Sequence, residues 1–345
     1  RVAVSGVRNA AGLNYIGTDA VDIAIDISDV AIFRANSLFQ DIGENAVRAE
    51  VTISGVAGAG APASSCFNWL LLNASDSTAH VRDVADLEGG FGWAAQRSRN
   101  VTVSVASVQR LSDAAFELMA AGAQSAQVVI DDTEDVAGWA FSDLLSGAQD
   151  SRLSISRGRR WASDAGAGIG ASASRSSVDI WDVASVGNGT FHGALRNGGD
   201  SQITVVNVSG AAGALRDLGA AAQNVSVTLR SVSMAPADAS SRAPLPASIG
   251  NGSVGTTLTV DGHCFNGAAE TSLLSNATDA RLIITGSAAC AGDTVSIAPD
   301  HPAEVAVTLS TDQFRRLSAI GFASSLVVAG GITATQLTTL RLASG

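Results

Sequence analysis

Apolar residues recur along the chain in a pattern that repeats every 24 or 25 residues. Each repeat opens with one residue, here called the anchor, and a short alternating segment begins eleven residues later. The anchors are Phe67, Phe91, Phe116, Phe141, Gly166, Phe191 and Leu215, so that one of them is a glycine. A fixed period of this length is the sequence signature of a solenoid, in which each unit packs only against its neighbours.

The alternating segment predicts a β-strand with one buried face. The residues at positions +12 and +14 after the anchor are apolar in most units, as in Val103 and Val105 or Leu153 and Ile155. The residues at +11 are polar throughout: Thr78, Thr102, Gln127, Arg152, Ser177, Gln202 and Ser226. Strands of stacked units would pair into a parallel ladder with a spacing of about 4.8 Å.

The segment before each strand predicts a short helix. Apolar residues fall at 0, +3 or +4 and +7, as in Phe141, Leu144, Leu145 and Ala148, which is the spacing of one helical face. An Asp or Asn at +9 in most units ends this segment, because its side chain satisfies turn backbone groups. Trp69 and Trp93 both stand at +2, and we expect them to stack between adjacent units.

The segment "VQRLSDAAFELM" resembles a unit of the BspA-like leucine-rich repeat family. That pattern is apolar-x-x-apolar followed by Ala-Phe, and it is matched here by Val108, Leu111 and Ala115-Phe116, and again by Val136 and Ala140-Phe141. The resemblance is best over residues 67–235, although the interval from Phe to strand is longer than the family's. It implies a strand-plus-helix solenoid in a secreted or cell-surface protein that serves in adhesion or protein binding.

The pattern extends in both directions and predicts one elongated α/β solenoid over residues 1–345, with about 14 leucine-rich-repeat-like units. Phe39 is followed by Val51 and Ile53, and Phe314 by Leu326 and Val328. Irregular insertions interrupt the period near 235–257 and 286–303. A right-handed parallel β-helix is the alternative fold, because it repeats at a similar length.

Charge and hydropathy narrow the classes of partner. The net charge is −11 and all 21 cationic residues are Arg, so a basic stripe for nucleic acid is absent from the sequence. No window of about 18 apolar residues predicts a membrane span. The first residues, "RVAVSGV", already read as a strand, which indicates a processed form or a fragment.

Seven Asn-x-Ser/Thr sequons indicate a glycosylated, secreted protein: Asn73, Asn100, Asn188, Asn207, Asn224, Asn251 and Asn276. Chance predicts roughly 2.5 for this composition. The alternative is that Asn, Ser and Thr all concentrate in turns. Cys264 and Cys290 lie 26 residues apart, close to one unit, and are candidates for a disulfide; alternatively, Cys66 and Cys264 are equivalent unit-start positions.

Motifs for chemistry are few, and we predict no catalytic residue, no metal site and no cofactor. The run "IDDTED" offers the carboxylates of Asp131, Asp132, Glu134 and Asp135, either as a solvated turn, as a Ca²⁺ site or, on a β-helix, as a glycosidase pair. The four His are scattered. "GAGIG" lacks the third glycine of the dinucleotide fingerprint.

Trp181 is the strongest candidate for a binding residue. It stands at +15, where other units carry Arg82, Asp131 and Arg230, and an exposed Trp among charges is typical of a binding hot spot. The alternative is that Trp181 folds under a loop. We therefore predict a non-enzymatic adhesion or recognition protein with a protein or glycan ligand on the strand face. A self-assembling structural subunit of a filament or surface layer and a polysaccharide-active enzyme are the alternatives.

Overall fold

The chain forms a parallel β-solenoid. The computed structural model describes residues 1–8, 13–32, 39–58, 67–88, 90–112, 115–210, 213–233, 248–261, 274, 277–286, 304–309 and 326–328. One 14-stranded parallel sheet dominates. Its strands, in spatial and chain order, are β1 Val2–Ser5, β3 Ala24–Ile32, β5 Glu50–Gly58, β7 Thr78–Glu88, β8 Thr102–Ser112, β9 Gln127–Val136, β10 Arg152–Trp161, β11 Ser177–Val186, β12 Gln202–Gly210, β13 Ser226–Arg230, β14 Thr257–Asp261, β15 Arg281–Gly286, β16 Glu304–Leu309 and β17 Leu326–Val328. A second sheet contains β2 Leu13–Asn14, β4 Phe39–Gln40 and β6 Phe67–Asn68.

Neighbouring strands pair in the register that the repeat predicts. Position +12 of one unit stands opposite +12 of the next, as for Val128, Leu153 and Val178. These side chains are fully buried, whereas Gln127 and Arg152 at +11 are exposed. The parallel ladder and the orientation of its strands, both predicted from the sequence, are therefore confirmed.

Single residues in the left-handed (αL) conformation form corners within the long strands of the sheet. They recur at +16 and +19, as Asp132 (φ 53°) and Asp135 (φ 55°) in β9 and Arg157 (φ 53°) and Arg160 (φ 52°) in β10. A third corner stands at +9, just before the strand, as in Asp150 (φ 51°). Asp and Asn tolerate this conformation better than most residues, which explains their frequency at the corners.

The predicted helices are wrong for the described residues, in which no helix is present. Phe141, Leu144, Leu145 and Ala148 are all buried, so the apolar spacing was interpreted correctly as a buried face. The backbone, however, has αL residues at every second position, at Asp143, Leu145 and Gly147, which a helix does not. The Leu145 N–H donates to the Met119 carbonyl and the Gly147 N–H to the Ala171 carbonyl, so these bonds join neighbouring units. The N–H groups of Ser146 and Ala148 close single turns with carbonyls three residues back, and no run of helical hydrogen bonds forms.

The strand-plus-helix character implied by the leucine-rich-repeat resemblance is consequently not found. The resemblance lay in the spacing of apolar residues, and a β-solenoid satisfies that spacing as well. Of the two predicted classes, the parallel β-helix describes the observed turns. The structure describes eight turns with their anchors at Phe39, Phe67, Phe91, Phe116, Phe141, Gly166, Phe191 and Leu215. The larger count of about 14 complete units stays a prediction.

The aromatic anchors stack on one another and form a column of rings in the core. Successive Phe rings are nearly parallel, with centroids 4.6–5.2 Å apart, at Phe39, Phe67, Phe91, Phe116 and Phe141. Trp69 and Trp93 form a separate stack at 5.7 Å, which confirms the predicted contact. The aromatic column extends through adjacent turns because each anchor occupies the same position as the one before it.

The glycine anchor is compensated by a residue from another position. Trp161, at +20 of the preceding unit, is fully buried and places its ring between Phe141 and Phe191, with centroid distances of 5.3 and 5.5 Å. Its indole Nε1–H donates to Thr133 Oγ1 at 2.9 Å. A Cβ atom at Gly166 would lie 2.9 Å from the carbonyl oxygen of Thr190, so this anchor has no room for a side chain.

The ladder continues past both predicted insertions. β13 pairs with β14 although residues 234–247 lie between them, and β15 pairs with β16 on either side of 287–303. The segment 248–257 belongs to a turn and to the start of β14. Residues 234–247 and 287–303 themselves lie outside the described residues.

Candidate functional site

The structure brings the four predicted binding residues into one column on the outer face of the long sheet. Strand pairing aligns position +15 of successive units, and we call this set the outer column. It contains Arg82, Ala106, Asp131, Ser156, Trp181, Val206, Arg230 and Asp261. Adjacent members are one strand spacing apart, about 4.8 Å.

Trp181 is the exposed aromatic residue of this column. Its relative exposure is 40%, so it does not fold under a loop. Its lateral neighbours, Ser156 and Val206, are small enough to leave the indole accessible. Asp131 and Arg230 lie two units away on opposite sides, so that one acidic and one basic residue flank the central aromatic residue.

The charged members of the outer column already have partners. Asp131 accepts hydrogen bonds from Arg157 and from Ser156 Oγ, the latter at 2.8 Å, and the bond from Arg157 lowers the pKa of its carboxyl. Arg230 donates to Asp261 at 3.0 Å. These hydrogen bonds fix the orientation of the Asp131 carboxylate and the Arg230 guanidinium, so that a ligand would meet charges in defined positions.

The carboxylates of the acidic run in β9 form ion pairs with arginines of the next unit. Arg157 pairs with Asp131, and Arg160 pairs with both Glu134 and Asp135. Arg110 and Asp86 form the same kind of pair two units earlier, so Asp and Arg alternate along the +19 corner. In the described part of the chain, no group of three or more His, Cys, Asp or Glu side chains is placed to hold a metal ion.

A polar groove runs along the +9 corner beside the sheet, and we call it the corner groove. Its volume is about 640 Å³. It crosses four units and is lined by Asp150, Ser151, Arg152, Arg175, Ser176, Ser177, Asp200, Ser201, Gln202, Asn224 and Ser226. The Asp and Asn at +9 were predicted only as turn residues, and this groove was not predicted.

Paired charges hold the walls of the groove in place. Arg175 donates two hydrogen bonds to Asp150, at 2.7 and 2.8 Å, and the Asp150 pKa is lowered by them. Asn224 donates to Asp200 at 3.0 Å. Arg152 donates at 3.0 Å to Asp179, which is buried just beyond the groove.

Hydroxyl groups form a ladder beneath the groove. The backbone N–H groups of Ala126, Ser151 and Ser176 each donate to the serine hydroxyl at +10 of the following unit, at 3.0–3.2 Å. Those hydroxyls in turn donate to backbone carbonyls two residues back, for example Ser201 Oγ to Gly199 O at 2.7 Å. The floor is therefore hydrogen-bonded and rigid, which suits a preformed site.

Two carboxyl groups on the turns have raised pKa values. Burial raises the pKa of Glu117, with a further contribution from Asp143, and burial also raises the pKa of Asp143. His192 Nε2 lies 2.9 Å from Asp217 Oδ2 on the same side of the solenoid. A glycosidase needs an acid and a base facing one bond, and the groove carboxylate Asp150 is instead held ionised by Arg175.

The described sequons all place their asparagine at the surface: Asn73, Asn100, Asn188, Asn207, Asn224 and Asn251. In three of them the amide nitrogen donates to an Asp of the preceding unit, from Asn100 to Asp76, from Asn207 to Asp182 and from Asn224 to Asp200. Both Asn100 and Asn224 stand at the +9 corner, with Thr or Ser at +11. The repeat itself therefore generates the sequon spacing, and glycosylation stays a prediction.

The remaining site predictions fall outside the described residues. These are the Cys264–Cys290 disulfide with its alternative at Cys66, and the sequon at Asn276. Among the described residues, no helix is long and apolar enough to cross a membrane. Comparison with protein-family models, curated proteins and solved structures finds no match for this chain.

Proposed function

We propose that the chain is a non-enzymatic recognition protein, secreted or at a cell surface, that binds a protein partner through the outer column. The single observation that carries the proposal is the exposed indole of Trp181 on strand β11. The parallel ladder holds this strand on both sides, through its pairing with β10 and β12. An indole on a rigid surface loses little entropy on binding, which is why Trp is enriched at hot spots.

The surroundings of Trp181 favour a protein partner. Ala106 and Val206 add apolar surface to the column, and Asp131 and Arg230 flank it at about 10 Å on either side, two strand spacings away. Because both charges are already paired within the chain, they would select the orientation of the partner more than they would strengthen its binding.

Substitution of Trp181 tests this function. Purified chain and its Trp181→Ala variant are used to capture proteins from an extracellular extract, and the dissociation constant of each captured protein is then measured with purified material. Loss of a hot-spot indole is expected to weaken binding by about 30-fold. Trp139→Ala is the matched control, because Trp139 is 55% exposed but lies in a turn, outside the sheet.

The two tryptophan variants separate a specific interface from general stickiness. A partner that loses affinity for Trp181→Ala and keeps it for Trp139→Ala supports the proposal. Equal binding by both variants, or equal loss in both, contradicts recognition through the outer column.

A further inference from the structure

The corner groove differs in chemistry from the outer column. Its lining contains only Asp, Asn, Gln, Arg and Ser, so no apolar side chain contributes to it. Trp181 lies four residues beyond the groove residue Ser177 on β11, a distance of about 13 Å along the strand. The groove is therefore a separate site, and its occupant has to be polar on the surface that it presents.

The charges of the lining cancel. Asp150 and Asp200 are opposed by Arg152 and Arg175, and the whole chain is acidic with a net charge of −11. A polyanion would meet no net attraction in the groove and would be repelled by the rest of the chain. A polycation would have to displace two arginines that are already paired with carboxylates. Neither kind of charged polymer fits.

The +9 wall of the groove is held by hydrogen bonds, whereas two side chains of the +11 wall are free to bind. On the +9 side, Arg175 donates to Asp150 and Asn224 donates to Asp200, so these four side chains are oriented. Their remaining N–H groups and oxygen lone pairs are available for further hydrogen bonds. On the +11 side, the hydroxyl of Ser177 and the amide of Gln202 have no hydrogen-bond partner among the described residues. Together the walls offer donors and acceptors at close spacing.

We propose that the corner groove binds a neutral glycan chain lying along the axis of the solenoid. Sugar hydroxyls donate and accept at adjacent positions, and this matches walls on which carboxylates, amides, guanidinium groups and hydroxyls alternate. The +9 corners from Asp150 to Asn224 span three strand spacings, about 14 Å, which provides an elongated trough. Because the serine hydroxyls beneath the groove are already hydrogen-bonded, binding costs little conformational entropy there.

Titration calorimetry with purified full chain tests the proposal. The probes are short neutral oligosaccharides of glucose, mannose and N-acetylglucosamine, with oligogalacturonate and heparin fragments as charged comparisons. We expect at least one neutral probe to bind and Gln202→Ala to weaken that binding about fivefold, the loss typical of a hydrogen-bonding group. Ser177→Tyr, which places a bulky side chain in the groove, is expected to abolish it.

Gln127→Ala is the matched control. Gln127 also stands at +11 and is exposed, but it lies one unit outside the groove, so its variant should bind like the wild type. Absence of binding by every neutral probe at about 5 mM would overturn the proposal. So would binding that survives Ser177→Tyr, an equal effect of Gln127→Ala, or binding confined to the charged probes. Trp181→Ala should leave the neutral probe's affinity unchanged, which keeps this test independent of the outer column.

Discussion

Trp161 shows how a single residue preserves the packing of the core. The aromatic column would be interrupted at Gly166, and Trp161 restores it from a different position of the preceding unit. Its indole N–H is also satisfied by Thr133 inside the core. Two departures from the repeat, an anchor without a side chain and a large residue at +20, therefore compensate each other.

The first prediction at this scale is that Trp161→Ala strongly destabilises the fold. Removal of a fully buried aromatic side chain leaves a cavity between Phe141 and Phe191, and the expected loss is about 3–5 kcal/mol of unfolding free energy. Chemical denaturation followed by circular dichroism measures it. Trp139→Ala, at an exposed position, should stay within about 0.5 kcal/mol of the wild type; similar losses in both would refute the packing role.

The second residue-scale prediction concerns Asp143. Burial raises its pKa in the folded state, so the folded protein holds this proton to a higher pH than the unfolded chain does. Stability therefore falls as pH rises from the ordinary carboxyl pKa through the raised value, and the ionised group is destabilising at neutral pH.

Asp143→Asn should accordingly be more stable than the wild type at pH 7. The gain should be below about 1 kcal/mol, because the group is partly exposed. Thermal melts across the pH range measure the difference. The difference should close below about pH 3, where Asp is protonated in both states; a variant that is less stable at pH 7 would contradict the argument.

At the scale of the element, the bent strand depends on single αL corners. Ser125 occupies the +9 corner with φ 56° although it is neither Gly, Asn nor Asp. Its N–H donates to the Gln149 carbonyl of the next unit, so the corner conformation is needed to keep the ladder in register. A residue of this kind carries backbone strain that the packed ladder imposes on it.

Ser125→Gly is expected to stabilise the protein by up to about 1 kcal/mol, because glycine adopts the αL conformation without the steric cost. Denaturant midpoints provide the measurement. The same change at Ser104, which faces outward within the extended part of β8, should destabilise by about 0.5–1 kcal/mol. Destabilisation in both variants would show that Ser125 is not strained.

At the scale of the whole molecule, most contacts join one unit to the next, and the same positions stand above one another along the stack. Arg–Asp pairs at the corners, the serine ladder and the aromatic column all join one unit to the next. The stability of such a protein is close to a sum of unit and interface terms. The stack should consequently tolerate a change in the number of units better than a change within one.

Deletion of residues 117–141 tests this property. It removes one whole period between two anchors and joins Phe116 to Ser142, so that β8 would pair with β10 in the existing register. We expect a folded protein with a cooperative melt and strand content reduced by one unit. Deletion of residues 117–128, about half a period, should prevent folding, because it breaks the alignment of anchor and strand; a folded half-period variant would contradict the stacked-unit fold.

The sequence predicts the strands of the fold and the members of the outer column, but not the backbone of the turns. The anchors, the inward residues at +12 and +14 and the alignment of Arg82, Asp131, Trp181 and Arg230 were all predictable, because burial imposes a period on apolar residues. The backbone of the turns was not predictable. The spacing at 0, +3, +4 and +7 shows which side chains are buried. A helix and the observed turn backbone with αL residues bury the same side chains, so the spacing does not distinguish them.

The repeat length and the buried and polar faces of each strand follow from the order of residues in the chain. The turn hydrogen bonds, the packing of Trp161 over Gly166 and the groove lined by Asp150, Arg175 and Gln202 are known only from the folded structure. The physical reason is that periodicity records what each unit requires of its neighbours. Groove shape and ion pairs depend instead on which polar side chains of neighbouring units meet, and the period of the apolar residues does not specify those pairings.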